Sequence, residues 1–456
     1  MLRHRRTAHP IRDSKHKMVA KNIAATVSST ILQSIPVVFF NRVSTFGDTE
    51  IREANKIRNR AVVVDMMRSK SDSWFYKSYR MNRSKFYDLL RTISPLVMCH
   101  TPEMAVRSSG YPLDPEILLA SSLRWLGSAS YIDLVDLYKL PETCAHMMVF
   151  RTYEAIDKGL DNIKLPSTKE EWHVLRDGWS RKCIKKFGFD LMRGTVLSGD
   201  GWLFFRTKPS PRDTGGNAAS YWNRKGGYAL NSLGFTDANC MIKYAAMEWV
   251  GSNNDAPCYT ETHLYDLIRK GDMPDDCFMV LDEAFCASGA QEVTPFNRTT
   301  LQNLRTTNPD EYGLRSTFNY LLSFQRCTIE RVWGMMMRKF PRLAMKCECS
   351  CRHMVLIFMV CCKLHNVCVQ AWLDERKAGG GDGREDYADV VGERDLSDTE
   401  CVDLFTANAA IGEQNDENEI FPRQPCPATA NTQGPRRALM VERIRSFEFV
   451  CDHSHM

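Results

Sequence analysis

Two absences narrow this 456-residue sequence before any motif is read. No apolar run is long. The longest, MVLIFMVCC at 354–362, ends at Lys363 and is about half of what a bilayer-crossing helix needs, so a soluble protein is expected. The opening MLRHRRTAHPIRDSKHKMVAKN has no apolar stretch behind its basic residues, so no secretory signal is expected. A mitochondrial transit peptide and a nuclear-import or nucleic-acid arm both remain open. With 17 cysteines and no such signal, a reducing compartment and buried free thiols are expected. CECSCRH (347–353) lacks the Cys-x2-Cys knuckle, and no second half follows it, which disfavours a zinc site.

A large net charge is also lacking, but the total of +5 conceals an asymmetry. Asp374 to Glu419 holds 15 acids against 4 bases, and that −11 leaves +16 on the remainder. A basic body with an acidic tail points to a polyanion partner with which the tail competes for the basic surface. The length indicates two or more domains, and 43% hydrophobic residues supply a core.

Four segments are expected. Residues 1–75 form a basic arm without clear periodicity, and 76–160 are helical. Asn82 caps a helix that buries Phe86, Leu89, Leu90 and Ile93. Pro115 and Gly127 bracket a second helix, and two more meet near Leu140–Pro141. The outline is that of a helix-turn-helix. Its recognition helix would present Glu142, Thr143 and His146, with no base before Arg151, so a plain helical bundle and a DNA-contacting module stay open.

From 161 to 372 the pattern changes. GTVLSGDGWLFF reads as a strand. GYALNSLGFTDANC and MIKYAAMEWVGS read as a hairpin turning at Asp-Ala-Asn. DAPCYTETHLYDLIRKGDMPDD reads as one helix closed by Gly271, and CFMVLDEAF as a short buried strand. Ala287 to Arg315 reads as loop. RCTIERVWGMMMRKFPRL is an amphipathic helix whose apolar stripe is interrupted by Glu330. This order predicts an α/β domain, a mixed sheet flanked by helices. Residues 373–456 are acidic, then Pro-rich, and read as mostly disordered, with ALMVERIRSFEFV as a short docking element.

Three acids occupy telling places: Asp200 in the first strand, Asp282 at the end of the buried strand, and Glu330 on the long helix. A charge in so apolar a strand is costly unless something compensates it. A crossing helix can bring all three together, and converging carboxylates call for a hard cation such as Mg²⁺ (or Mn²⁺). Two such ions activate a water or 3′-hydroxyl and stabilise the leaving oxygen in phosphoryl transfer.

LSGDGW, YWNRKGGYALNSLGFTDAN, WVGSNNDAP, DMPDDCFMVLDEAF, TIERVWGMMMRKFPRL and CCKLHNVCV follow one another in order. Together they resemble the successive motifs of Harbinger-type DDE transposases and of host proteins derived from them. The likeness covers about Gly194 to Val369 and, more loosely, Lys77 to Ile156. It implies an RNase H-like fold and Asp200, Asp282 and Glu330 as the catalytic acids. It also implies metal-dependent DNA cleavage and strand transfer at transposon ends, with a separate Myb-like DNA-binding partner and a nuclear location. A homo-oligomer is a further expectation. Three motifs depart from the family: Gly201-Trp202-Leu203 for Gly-Thr-His, Asn254-Asp255-Ala256 for His-Asp-Ser, and Leu281-Asp282-Glu283 for Gly-Asp-Ser. They keep open a domesticated DNA- or protein-binding factor without nuclease activity.

Asp255 reads as a helix N-cap or as support beside the metals, and Glu283 as a surface charge. Arg224 and Lys225 read as a phosphate grip or a solvated loop. Arg326 either contacts DNA or holds a carboxylate, and Lys339 belongs to a diffuse basic face. Cys361, Cys362 and His365 read as core.

Overall fold

The computed structural model describes residues 60–97, 113–142, 145–285, 289–378 and 437–445. Most of the basic arm and the tail, 437–445 excepted, lie outside them.

Helices lead the described chain: α1 Ala61–Ser69, α2 Asp72–Tyr79, α3 Arg83–Val97, α4 Pro115–Leu126, α5 Tyr131–Tyr138 and α6 Ala145–Gly159. Their starts are written in the sequence. The Asn82 carboxamide accepts from the Lys85 N–H at 3.1 Å, and Asp114 caps α4. Ser130 and Asp133 make a reciprocal capping box on α5. Phe86, Leu89 and Ile93 are buried as their spacing predicts, and α5 gives way to α6 around Leu140–Pro141.

A seventh helix, α7 Lys169–Phe187, was not read from the sequence. Its buried face is only Trp172, Leu175, Trp179, Lys182 and Cys183 on an otherwise charged helix, too thin a stripe to stand out. Its Thr168 cap and Gly188 stop were the available signals.

The sheet has five strands: β1 Thr195–Arg206, β2 Tyr228–Thr236, β3 Ile242–Val250, β4 Phe278–Val280 and β5 Glu292–Val293. Their spatial order is β3-β2-β1-β4-β5. The first three run antiparallel as a meander, while β4 and β5 are parallel to β1. The mixed sheet is therefore as expected, and its central strand carries Asp200. Asp237 makes the β2–β3 turn, accepting from the N–H groups of Asn239 and Met241, with Cys240 left-handed at φ +63°.

Two expectations needed correction. The single helix after Asp255 is two, α8 Asp255–Thr260 and α9 His263–Arg269, because the Thr262 hydroxyl captures the Tyr265 N–H and starts a new helix. The supposed loop 287–315 contains β5, α10 Arg298–Thr307 and the start of α11 Pro309–Lys339. Helix α10 buries none of its residues, so it shows no apolar period.

Helix α11 spans 31 residues and joins two cores. Leu314, Phe318, Leu321 and Leu322 pack at the β4–β5 edge. Ile329, Val332, Trp333 and Met336 pack with Trp202 and Phe204 under the opposite end of β1 and with helices α1–α6. Gly234 on β2 has no side chain because the Trp333 ring lies against it. Of the segment read as a docking element, the described residues 437–445 are helical and bury Met440, Val441 and Ile444 in the edge core, and 446–450 lie outside the described residues.

Helix α12 Cys351–Ala378 extends well beyond the short apolar run it contains. Its Cys351–Lys377 stretch is long and apolar enough to cross a membrane. Yet Met354, Ile357, Phe358, Cys361, Cys362 and Leu364 are fully buried in the protein core. The LHN sequence pins it to the sheet: a His365 ring nitrogen pairs with the Cys240 carbonyl, and the Asn366 carboxamide bonds both N–H and C=O of Ile242. Burial pushes His365 down to about 3, so it stays neutral.

Candidate active site

The parallel register of β1 and β4 brings two of the acids together. Ser198 pairs with Val280, so two residues further along each strand direction Asp200 comes beside Asp282. Strand β4 stops at Val280, which leaves Asp282 just past its end with its side chain 39% exposed. Alternation along β1 turns Asp200 to the same face as Trp202 and Phe204, which is the face α11 crosses. Glu330 arrives there from α11.

Arg326, one turn before Glu330, sits among the acids. Its Nη1 lies 2.6 Å from Glu330 Oε1 and 3.7 Å from Asp282 Oδ1. Burial opposes its charge, but Glu330, Asp282 and Asp200 keep it firmly protonated. One cation against three carboxylates leaves the cluster negative. Asp200 shows the strain: burial, with further help from Asp255, Glu330 and Asp282, pushes it up to about 8 despite Arg326.

Asp255 joins from the other face of the sheet. It is the first residue of α8, and its neighbour Asn254 occupies the cap position without a side-chain bond, so the N-cap reading is wrong. Its carboxylate accepts from Asn231 Nδ2 at 3.0 Å and is raised by burial. Gly201 makes this approach feasible, since a Cβ there would collide with the Asp255 carboxylate. Asn231, a buried amide in the middle of β2, was missed by sequence reasoning. A polar residue in an otherwise apolar central strand was the signal.

Arg224 and Lys225 line a cavity with Gly201, Leu203, Asn231 and Asp255. The Asn223 side chain shapes their loop by accepting from the Lys225 N–H and donating to the Gly227 carbonyl, with Gly226 at φ +80°. Arg224 is exposed. Burial, then the neighbouring Arg224, lowers Lys225, while Asp200 and Asp255 oppose that shift. Lys339 is not brought to the acids: nine residues along α11 separate it from Glu330, about 13 Å. Glu283 is exposed, as expected, in a 3-10 turn after β4.

Glu330 and Asp282 lie within 4 Å of Arg326 and Asp200 is near enough to influence its charge, a surplus of negative charge that a hard divalent cation would offset. They are spread around Arg326 rather than drawn tight. Among the described residues the ligand atoms lying within 4.8 Å of one another are those of His173, Asp276 and Cys277. There Arg176 Nη1 already neutralises Asp276 at 2.5 Å. CECSCRH is likewise committed elsewhere: Arg206 bonds Cys351 Sγ and His353 stacks on Phe150.

Asp200 in the middle of β1 and Asp282 just past the end of the adjacent parallel β4 lie where phosphoryl-transfer chemistry could use them. Residues 199–366 match the family model described as DDE superfamily endonuclease. The matched span contains Asp200, Asp255, Asp282, Arg326 and Glu330 and ends on Asn366, which holds α12 to the sheet. Comparison with curated proteins and with solved structures returns no match.

Proposed function

We propose that the chain is a Harbinger-type DNA transposase whose endonuclease domain has the RNase H-like strand arrangement. Asp200, Asp282 and Glu330 are its catalytic and metal-holding residues. The observation that carries this reading is their convergence on a single guanidinium from three separate elements. Two Mg²⁺ or Mn²⁺ ions held there would supply Lewis acidity at the scissile phosphate and an activated water or 3′-hydroxyl. Asp255, held by Asn231, supports the site from behind Gly201. Arg224 and Lys225 bind the DNA backbone beside it, and Lys339 adds to the more distant basic face.

On the same reading, residues 76–160 are a helix-turn-helix-like unit. The substrate is DNA at transposon ends and targets. The protein works in the nucleus as a homo-oligomer, with a separate Myb-like DNA-binding protein. Purified chain incubated with DNA and Mg²⁺ is expected to nick or join strands, and Asp282→Asn is expected to stop this with the fold intact. Equal cleavage by the variant would contradict the proposal.

One feature favours a second reading, a domesticated binding factor without nuclease activity. Leu203 lines the cavity beside Asp255 where family members have a histidine. That reading predicts DNA binding with no divalent-ion-dependent strand breakage by the wild-type chain.

A further inference from the structure

Apart from the acid cluster, the two elements that meet at the start of β1 build a surface of a different character. Helix α7 ends with Arg181, Lys185 and Lys186 exposed. Its last residue, Phe187, lies against Phe324 of α11 with ring centroids 4.9 Å apart, and 6.0 Å from Tyr320. Gly188 at φ +81° turns the chain so that Phe189 stacks back on Phe187 at 6.0 Å, 21° from parallel. Phe187, Phe189 and Phe324 are half-buried, whereas Tyr320 is 62% exposed, more than any other large ring of α11.

A core function explains the three phenylalanines but not the tyrosine. It gains little from burial, and it stands on an aromatic base beside a cationic helix end. Aromatic faces next to positive charge are what single-stranded nucleic acid requires: bases stack on the rings and phosphates meet the cations. Tyr320 is ten residues before Glu330 on one helix, about 15 Å, or about four nucleotides at duplex spacing.

We propose that Tyr320, on its platform of Phe187, Phe189 and Phe324 and flanked by Arg181, Lys185 and Lys186, stacks unpaired nucleotides of the DNA strand that passes the acid cluster. This rests on the DNA-processing reading above and adds a site for a single-stranded extension. An acidic peptide would satisfy the cations but leave the exposed ring unused.

The test is fluorescence anisotropy of the full-length chain in EDTA, so that no strand is cut, with a labelled duplex carrying or lacking a five-nucleotide single-stranded extension. The wild type is expected to bind the extended duplex about tenfold more tightly than the blunt one. Tyr320→Ala should lose that gain while keeping blunt-duplex affinity, and Tyr320→Trp should retain it. Lys185→Glu/Lys186→Glu should weaken the extended duplex and flatten its salt dependence. A wild type that binds blunt duplex but gains nothing from the extension would overturn the stacking site alone. So would an unchanged gain in Tyr320→Ala. Absence of any DNA binding would overturn the DNA-processing reading as well.

Discussion

Two acidic centres at one sheet differ in their charge balance. Glu292 on β5 is 4% exposed, and its Oε1 takes a 2.7 Å bond from Arg269 and a 3.0 Å bond from the Tyr259 hydroxyl. One acid meets one base, and burial together with Glu292 keeps Tyr259 protonated. Around Arg326 three acids meet one base, and Asp200 is forced toward its neutral form. The Glu292–Arg269 pair is balanced in charge, although Glu292 Oε2 is buried without a hydrogen-bond partner. A centre with surplus negative charge holds together better once a further cation arrives. The contrast separates a carboxylate that stabilises the fold from carboxylates held ready for chemistry.

Substitutions at the two centres should therefore have opposite signatures. The largest effect expected is on cleavage: Asp282→Asn should reduce divalent-ion-dependent strand breakage at least about a thousandfold in a gel assay, with an unchanged melting temperature. Glu292→Gln should do the reverse. It leaves Arg269 poorly paired and costs about 2 kcal/mol of stability, discounted for the partial exposure of Arg269, as read from denaturant unfolding. Arg326→Gln should destabilise the protein in EDTA and make it gain more from Mn²⁺ than the wild type does. Without the competing guanidinium the variant should bind Mn²⁺ more tightly, and each tenfold in Kd adds about 1.4 kcal/mol, so the gap between the two melts should narrow in Mn²⁺.

The last effect expected is in the pH dependence of stability. The Asp200 carboxyl rises from its ordinary 3.8 to about 8 in the fold, so the folded state binds a proton that the unfolded chain releases. Its contribution is complete below about pH 4 and is lost as pH rises toward 8. In metal-free protein, Asp200→Asn should remove that decline, and thermal melts across the range measure it.

Much of this was legible in the sequence because the signals were local. The apolar run CFMVL around a following acid marked β4 and Asp282, and Asp237–Asn239 marked the hairpin. Helical spacing marked the inward stripe of α11, and six ordered motifs tied the acids to one family. What escaped depends on contacts distant in sequence. Asn231 matters only because α8 brings Asp255 behind it. Gly201 matters because no side chain fits there. Helix α10 buries nothing and so leaves no periodic trace. Arg326 was read as either a DNA contact or a partner for a carboxylate, and its simultaneous reach to Glu330 and Asp282 requires the fold.

The central claim is that the centre with surplus negative charge is a divalent-cation site. Calorimetric titration of Mn²⁺ into the full-length chain without DNA tests it most directly. Saturable binding is expected for the wild type and for Glu292→Gln, and loss of that binding for Asp282→Asn. Undiminished binding by Asp282→Asn, or none by the wild type, would contradict it.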